Sequence, residues 1–387
     1  MSKYNLVQNL EYLKKLPPGW AVCIFNEVVK DCSAGNKKTL SSDFLSEGSY
    51  PIVDQSKELI AGYTNDMSLL VNSEPPNIIF GDHTRIFKYI AFPFAMGADG
   101  IKILKPKQTT KLVEKYLYYF FLTLHIPNTG YNRHFKYLKK VKVPLPTYAE
   151  QEKIARILDV ADDLRQKDQQ LIDHYTALGQ ALFIKMFGEP VANSMAWERI
   201  ELRNAGTLDR GKSKHRPRNA PELLGGSHPL IQTGDVANCQ GYIREYKATY
   251  SDFGLKQSRK WPKGTLCITI AANIAKTGIL TFDACFPDSV VGFTSNSKSN
   301  VEYVRYWLSF IQKILEDSAP MAAQKNINLK ILKELEMPLP PIALQNQFAE
   351  RIALIEAQKQ QAQASLAQSQ ALFDSLLHRA FTGELTA

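Results

Sequence analysis

One stretch matches a chemical motif by residue type and spacing. Gly206-Thr207-Leu208-Asp209-Arg210-Gly211-Lys212-Ser213 satisfies the phosphate-loop pattern GxxxxGK[ST]. A loop that cradles nucleotide phosphates needs a buried strand before it and a helix opening at the Lys-Ser pair. Here Glu198-Arg199-Ile200-Glu201-Leu202-Arg203 reads as at best a half-exposed strand. The following Lys214-His215-Arg216-Pro217-Arg218-Asn219-Ala220-Pro221 cannot open a helix, because its prolines would be interior. The same residues suit other chemistry better. Arg210, Lys212, Lys214, Arg216 and Arg218 alternate through nine residues with no acid among them, a basic loop fit for phosphate contacts.

Other catalytic templates fail. No Asp/Asn-Pro-Pro-aromatic tetrapeptide of an adenine aminomethyltransferase occurs; Glu74-Pro75-Pro76-Asn77 is not that motif. No Gly-rich loop for S-adenosylmethionine is evident, and the seven histidines lack HExxH spacing. Gly81-Asp82-His83-Thr84-Arg85 follows a strand-like run and reads as a recognition loop or a plain turn rather than a catalytic loop. Five cysteines (Cys23, Cys32, Cys239, Cys267, Cys285) show no CxxC spacing, so free thiols in a reducing cytoplasm are expected, with no zinc site.

The elements that must position these residues occur twice. Asn132–Ala155 and Asn326–Ala349 align without a gap at an offset of 194, with ten of 24 positions identical, including Lys136, Pro144, Leu145, Pro146 and Gln151. Composition alone would give about one or two matches. Each copy runs from a basic, strand-like segment through Pro-Leu-Pro into a long helical pattern, since proline stops a ladder and can open a helix. The chain therefore reads as an α+β tandem duplication. A first globular domain (1–146) and helix (147–190) are followed by a second domain (191–340) and helix (341–387).

Strand-like runs are expected at Ala21–Val29, Asn77–Phe80, Ile101–Leu104, Leu266–Ile270 and Ser289–Phe293. Helices are expected at Thr109–Leu124 and Val301–Leu315. In the first long helix Ile157, Ala161, Leu164, Leu171, Tyr175, Leu178 and Leu182 fall on one 4-3 seam, interrupted at Asp168. In the second, Phe348, Ile352, Ile355, Ala362, Leu366, Phe373, Leu376 and Ala380 do the same, with breaks at Lys359 and Ser369. That rhythm predicts two helices paired as a coiled coil.

Charge separates the two kinds of element. The net +9 divides into +7 for residues 1–146, +6 for 191–340, −3 for 147–190 and −1 for 341–387. Basic domains on weakly acidic helices point to a polyanion, with nucleic acid first in line. No apolar run approaches the roughly 20 residues that span a bilayer, and no secretory signal is visible, so a cytoplasmic protein without a membrane partner is expected.

With these features in place, the chain closely resembles the specificity subunit of type I restriction–modification enzymes over essentially its whole length. The resemblance rests on the domain-plus-helix plan and the Pro-Leu-Pro-x-x-x-x-Gln junctions at 144–151 and 338–345. It also rests on the terminal His378-Arg379-Ala380-Phe381-Thr382-Gly383-Glu384-Leu385. Trp261–Leu266, Asn273–Gly278 and Cys285–Phe293 in the second domain, and Asn128–Phe135 in the first, are similarly typical. The first domain lacks the Gly234-Asp235-Val236 and Lys276-Thr277-Gly278 pieces of the second, so the two are expected to read different sequences.

The resemblance implies two target-recognition domains and two antiparallel spacer helices. Each domain would read one half of a bipartite double-stranded DNA site. The chain itself would be non-catalytic and hold no cofactor. S-adenosylmethionine would sit on two modification subunits, and ATP and Mg would be used by partner subunits that include a restriction subunit. The DNA-side residues expected are Arg85, Asn132, Arg133, His134 and Lys136 in the first domain. In the second they are Arg210, Lys212, Lys214, Arg216, Arg218, Asn273, Lys276, Lys325, Asn326 and Lys330. The alternatives are a stand-alone nuclease or ATPase using the 206–213 loop, and a bivalent DNA-binding regulator without enzyme partners.

The spacer reading predicts a ruler. Inserting four residues near Ala362, one helical turn or about 6 Å, keeps the seam in phase and should lengthen the unread gap by about one or two base pairs. Inserting two residues turns the seam by about 200° and should abolish binding or assembly. Methylome sequencing checks both; an unchanged gap with the longer insert contradicts the ruler.

Overall fold

The computed structural model describes residues 16–98, 100–130, 132–271, 274–318 and 327–385. The chain divides into two compact units, one of residues 1–169 with 363–387 and one of residues 170–362. Each unit is α+β, and the duplication is visible in the connectivity of the strands.

The first unit opens with β1 (Ala21–Ile24), α1 (Phe25–Val28), β2 (Val29–Asp31), β3 (Tyr50–Val53) and β4 (Gly62–Thr64). It continues with β5 (Asn77–Gly81), β6 (Phe87–Ile90), β7 (Ala95–Met96) and β8 (Ile101–Pro106). Then come α2 (Glu114–Leu122), α3 (Phe135–Leu138), β9 (Lys142–Leu145) and the start of α4 (Tyr148–Phe187). The strands form sheets ordered β2-β8-β5-β6 and β4-β3-β7, with β1 pairing β9.

The second unit contains β10 (Arg199–Glu201), α5 (Leu202–Ala205), β11 (Gly206–Arg210), β12 (Leu224–Leu230) and α6 (Thr233–Asn238). Next are β13 (Gly241–Ile243), β14 (Ala248–Tyr250), α7 (Asp252–Lys256), β15 (Lys260–Trp261), β16 (Leu266–Thr269) and β17 (Thr277–Leu280). The unit continues through β18 (Ala284–Cys285), β19 (Val290–Ser295), α8 (Val301–Ser318), α9 (Leu329–Lys333), β20 (Glu336–Pro338) and α10 (Ile342–Thr382). Its sheets are β11-β19-β16-β17-β13 and β14-β12-β18-β15, with β10 pairing β20. Strand for strand this is the first unit's order with one strand added at each sheet's edge.

The run Ala21–Val29, expected as one strand, is broken by the single turn α1. Glu27 accepts the backbone N–H of Ile24 at 2.8 Å, and Phe25 and Val28, three apart, are both buried. A helical turn buries that pair on one face, which an extended chain cannot do. The equivalent turn α5 buries Leu202 and Ala205.

The repeated glutamine explains much of the sequence identity. Gln151 accepts the N–H of Val113 at 2.9 Å and donates to the carbonyls of Lys111 (3.0 Å) and Pro146 (3.1 Å). Gln345 accepts the N–H of Asn300 at 2.8 Å and donates to Lys298 (3.2 Å) and Pro340 (2.8 Å). Both amides are buried. The tyrosines Tyr116 and Tyr303 donate to the carbonyls of Pro144 (2.8 Å) and Pro338 (2.7 Å) in the same corners.

The long helices begin and end by sequence rules. Thr147 and Glu150 form a reciprocal capping box before α4, with bonds of 2.9 and 3.3 Å. Gly188 and Gly383, at φ 79° and 84°, follow the two helices in the left-handed conformation that ends them. Within the first unit the start of α4 pairs antiparallel with the end of α10: Ser365 donates to Asp168 at 3.0 Å and Arg165 to Gln370 at 3.1 Å. Within the second, Phe183 and Phe187 of α4 meet Phe348 of α10 at ring distances of 5.5 and 5.3 Å.

The seam expected on α10 is the one observed, with Lys359 and Ser369 buried at its two breaks. On α4 three of the seven expected seam residues point outward. Leu164, Leu171 and Leu178 are 45%, 45% and 50% exposed, while Leu158, Ile172 and Gly179 are buried. The inner positions include Arg165, Asp168 and Gly179, which carry no apolar signal. Gly179 faces Tyr306, whose hydroxyl would lie 2.3 Å from a Cβ at that position.

Replacing either glutamine by leucine should leave a buried N–H and two carbonyls unpaired, costing about 1–3 kcal/mol. Gln151→Leu and Gln345→Leu are each expected to lower the denaturation midpoint by a similar amount. A large loss for one and none for the other would contradict the equivalence of the two corners.

Candidate nucleic-acid interface

In the second unit the sheet register gathers several expected residues at one edge. Arg210 lies opposite Val291, Thr269 opposite Val290 and Ile268 opposite Thr277, so β11, β16, β17 and β19 share this end. Three connections leave it: the basic stretch 211–218, the turn 270–276 and the loop 286–289. The loop 286–289 ties them together, because Gly211 donates to Val290 at 2.9 Å and Ile270 donates to Ser289 at 3.1 Å. Arg210, Lys212, Lys214, Arg216 and Arg218 are all exposed there.

The phosphate-loop reading fails on this geometry. Gly206–Arg210 is itself a strand, and Gly211–Asn219 is an irregular loop with no helix at Lys212-Ser213. The two glycines answer to packing instead. A Cβ on Gly206 would lie 2.3 Å from the carbonyl of Thr294, and one on Gly211 2.2 Å from that of Phe286. The loop is braced from behind: Gln257 accepts the backbone N–H groups of Lys214 (2.7 Å) and His215 (3.1 Å), and Ser258 donates to the carbonyl of Lys212 at 2.9 Å. These bonds use the backbone and leave the lysine side chains outward.

Lys276 lies at the same edge, half-buried, with its ammonium 3.3 Å from Gln312 of α8. Ile327 donates to Ile270 at 3.1 Å, which brings the start of the second copy of the repeat to this edge. Lys330 follows on α9 and is exposed, with Glu334 at 3.9 Å. Asn273, Lys325 and Asn326 lie outside the described residues.

The first unit repeats the arrangement. Asp31 of β2, Gly81 of β5, Phe87 of β6 and Ile101 of β8 mark one sheet end. The β5–β6 turn meets the repeat there: Asp82 accepts the N–H groups of His134 (2.9 Å) and Phe135 (2.6 Å). Arg85 adopts φ 66° and donates to the carbonyl of Ile126 at 3.2 Å. Its counterpart in position, Ala275, has φ 55°. Arg133 and Lys136 are exposed, and Asn132 is exposed while donating to the carbonyl of Thr129.

His134 is a correction. It is fully buried, with Nδ1 2.8 Å from the carbonyl of Asp82, so it holds the turn in place and presents nothing to a ligand.

Sequence reasoning missed the first unit's counterpart of the basic loop. Residues 32–38 leave β2 as 211–218 leave β11, and they carry Lys37 and Lys38. With Asp31, Asn36, Lys102 and Arg133 this end forms a cavity of about 370 Å³. Burial opposes charge on Asp31, but hydrogen bonds from Lys102 (2.8 Å) and Ser33 outweigh it and hold its carboxyl below the usual value. The first unit's end is thus recessed and of mixed sign. Counting strands from Trp20 and Trp197 would have aligned the two loops.

Among the described residues, no group of three or more His, Cys, Asp or Glu is placed to hold a metal, and no helix is long and apolar enough to cross a membrane. All five cysteines are free.

The chain is thus a duplicated α+β module with one loop-bearing, cation-carrying sheet end in each unit. The chain belongs to the type I restriction modification DNA specificity domain family, whose profile matches residues 17–173 and 196–365. A Methanocaldococcus jannaschii protein that carries the name of a type I restriction enzyme specificity subunit (MjaX) is 27% identical over 233 residues, 57% of this chain and 53% of its own length. The type I restriction enzyme EcoBI specificity subunit of Escherichia coli is 29% identical over 168 residues, 41% of this chain and 35% of its own length. The chain therefore spans about half, or less, of the length of these relatives. The fold is similar to that of a type I restriction–modification S subunit from M. genitalium, with TM-score 0.58, 16% identity, and coverage of 95% and 98% of the two chains.

Lys212→Ala and Lys214→Ala should each reduce the salt slope of duplex DNA binding by about one. His134→Ala should lower the melting temperature and leave the slope unchanged. Slopes unaltered by both lysine variants would remove the loop from the interface.

Proposed function

We propose that this chain is a sequence-specific DNA-binding specificity subunit, each unit reading one half of a bipartite site with its loop-bearing sheet end. The carrying observation is the equivalence of the two ends. The same strands, turns and repeat segment converge in both units, yet their exposed residues differ: Lys212, Lys214, Arg216 and Arg218 in one, Lys37, Lys38 and Arg133 in the other. Equivalent frames with different surfaces suit two different half-sites on one polyanion.

On this reading the chain directs chemistry done elsewhere, in the cytoplasm. Two modification subunits would bring S-adenosylmethionine and methylate adenine N6, and a restriction subunit would use ATP and Mg for translocation and cleavage. The family membership supports the assembly, and the failed phosphate-loop geometry at 206–213 argues against a stand-alone ATPase. The isolated chain is expected to show no methyl transfer, DNA cleavage or ATP hydrolysis. Activity that survives purification and is lost in Lys212→Ala would overturn this. Co-expression with the modification subunits, followed by methylome sequencing, should reveal one bipartite adenine-containing motif; a contiguous motif would contradict one half-site per unit.

A further inference from the structure

Two arginines of the second unit's basic loop share one acid. Asp288, in the loop 286–289, lies between two of the arginines: Oδ1 is 2.6 Å from Nη2 of Arg218, and Oδ2 is 3.8 Å from Nη2 of Arg216. The other Nη of Arg216 donates to the carbonyls of Ser213 (2.6 Å) and His215 (2.8 Å). The sheet fixes this placement. Gly211 bonds to Val290, two residues beyond Asp288, and only a glycine could pack so closely on Phe286. The backbone of Asp288 is therefore held beside the loop that its carboxylate faces.

All three groups are partly exposed, at 38% for Asp288, 56% for Arg216 and 46% for Arg218. An ion pair so exposed is weak and exchanges readily for another partner. Exchange with a phosphate, however, leaves an unpaired carboxylate facing the DNA backbone, where like charges repel. Resting on the DNA-binding reading above, we propose that Asp288 is a specificity-determining residue. It guards Arg216 and Arg218 against generic phosphate contacts, so the second unit holds non-cognate DNA mainly through Arg210, Lys212 and Lys214. Discrimination comes from suppressing the wrong complexes as well as from fitting the right one.

The test uses the full chain and a mixed-sequence duplex of about 30 base pairs, titrated by fluorescence anisotropy across a salt series. Asp288→Asn, which keeps the shape and removes the charge, should bind this non-cognate duplex roughly 3- to 10-fold tighter, with a salt slope steeper by about one to two. Asp288→Ser should change both in the same direction. In a background carrying Arg216→Ala and Arg218→Ala the gain should vanish, because the guard acts through those two side chains. The methylome of the assembled Asp288→Asn enzyme should show relaxed bases in one half-site only. Unchanged affinity and slope in both Asp288 variants, or a gain that persists without the arginines, overturns the guard while leaving the DNA-binding reading intact. A native chain that binds no duplex at low salt removes both.

Discussion

The buried amides of Gln151 and Gln345 are the constraint on which each unit depends. Where a sheet's last strand ends at Pro-Leu-Pro, the backbone loses donors and a helix must start at a fixed angle. One side chain resolves this in each copy. Its oxygen takes the N–H at the start of α2 or α8, and its nitrogen bridges two carbonyls, one before that helix and one in the proline corner. The domain helix, the corner and the long helix are thereby fixed by a group that satisfies all its bonds away from water. An apolar residue would fill the space and orphan three backbone groups, which costs more than any packing it gained.

From those corners the long helices carry the constraint into the cores. Phe373, Ala380 and Phe381, from the end of α10, belong to the first unit's core, with Phe381 ring-to-ring on Tyr116 and Phe120 at 5.2 and 5.5 Å. Phe183 and Phe187, from the end of α4, belong to the second unit's core against Tyr303 at 5.4 and 4.8 Å. Each copy's helix thus completes the other copy's core. The polar seam residues select the register. Asp168 meets Ser365 in the first unit; in the second, Arg305 is held between Glu302 (2.9 Å) and Glu356 (3.6 Å) and stacks on Tyr242 and Tyr306. A slipped helix would bury these charges unpaired, a cost large enough to exclude it.

How much of this was legible in the sequence follows from the physics of each signal. The duplication, the α+β class and the helix ends were readable because proline, glycine and capping residues act locally and recur at both copies. The α10 seam was readable because its inner positions are mostly apolar. Three positions of the α4 seam were misread, because Arg165 and Gly179 point inward while Leu164, Leu171 and Leu178 point out, and only tertiary partners decide that. The one-turn interruptions α1 and α5 were invisible for the same reason. Among site residues, the outward lysines of the loop 211–218 followed from an alternation without acids. The burial of His134 did not, since a histidine beside Arg133 in a basic stretch looks the same whether it faces solvent or a carbonyl of Asp82. Lys37 and Lys38 were missed because only the strand order aligns residues 32–38 with the basic loop.

The same frame explains why the two halves can diverge in what they recognise. At the position matching Arg133, the second unit buries Ile327, whose N–H bonds to Ile270. The first unit instead leaves an arginine exposed, lining one cavity together with the charged pair of Asp31 and Lys102. Arg133 is exposed and takes no part in the glutamine corner, so it can change without moving the scaffold, whereas Ile327 belongs to the second unit's core. A duplicated protein whose copies had to stay folded but read different sequences would fix its corner residues and vary its sheet ends. The identities between the copies fall accordingly on Pro144, Leu145, Pro146 and Gln151 with their counterparts, while the loops after β2 and β11 share neither length nor charge pattern. On the proposed DNA-binding reading, recognition would rest on loops grafted on a corner the two copies share, and each half could be retuned by its own loops.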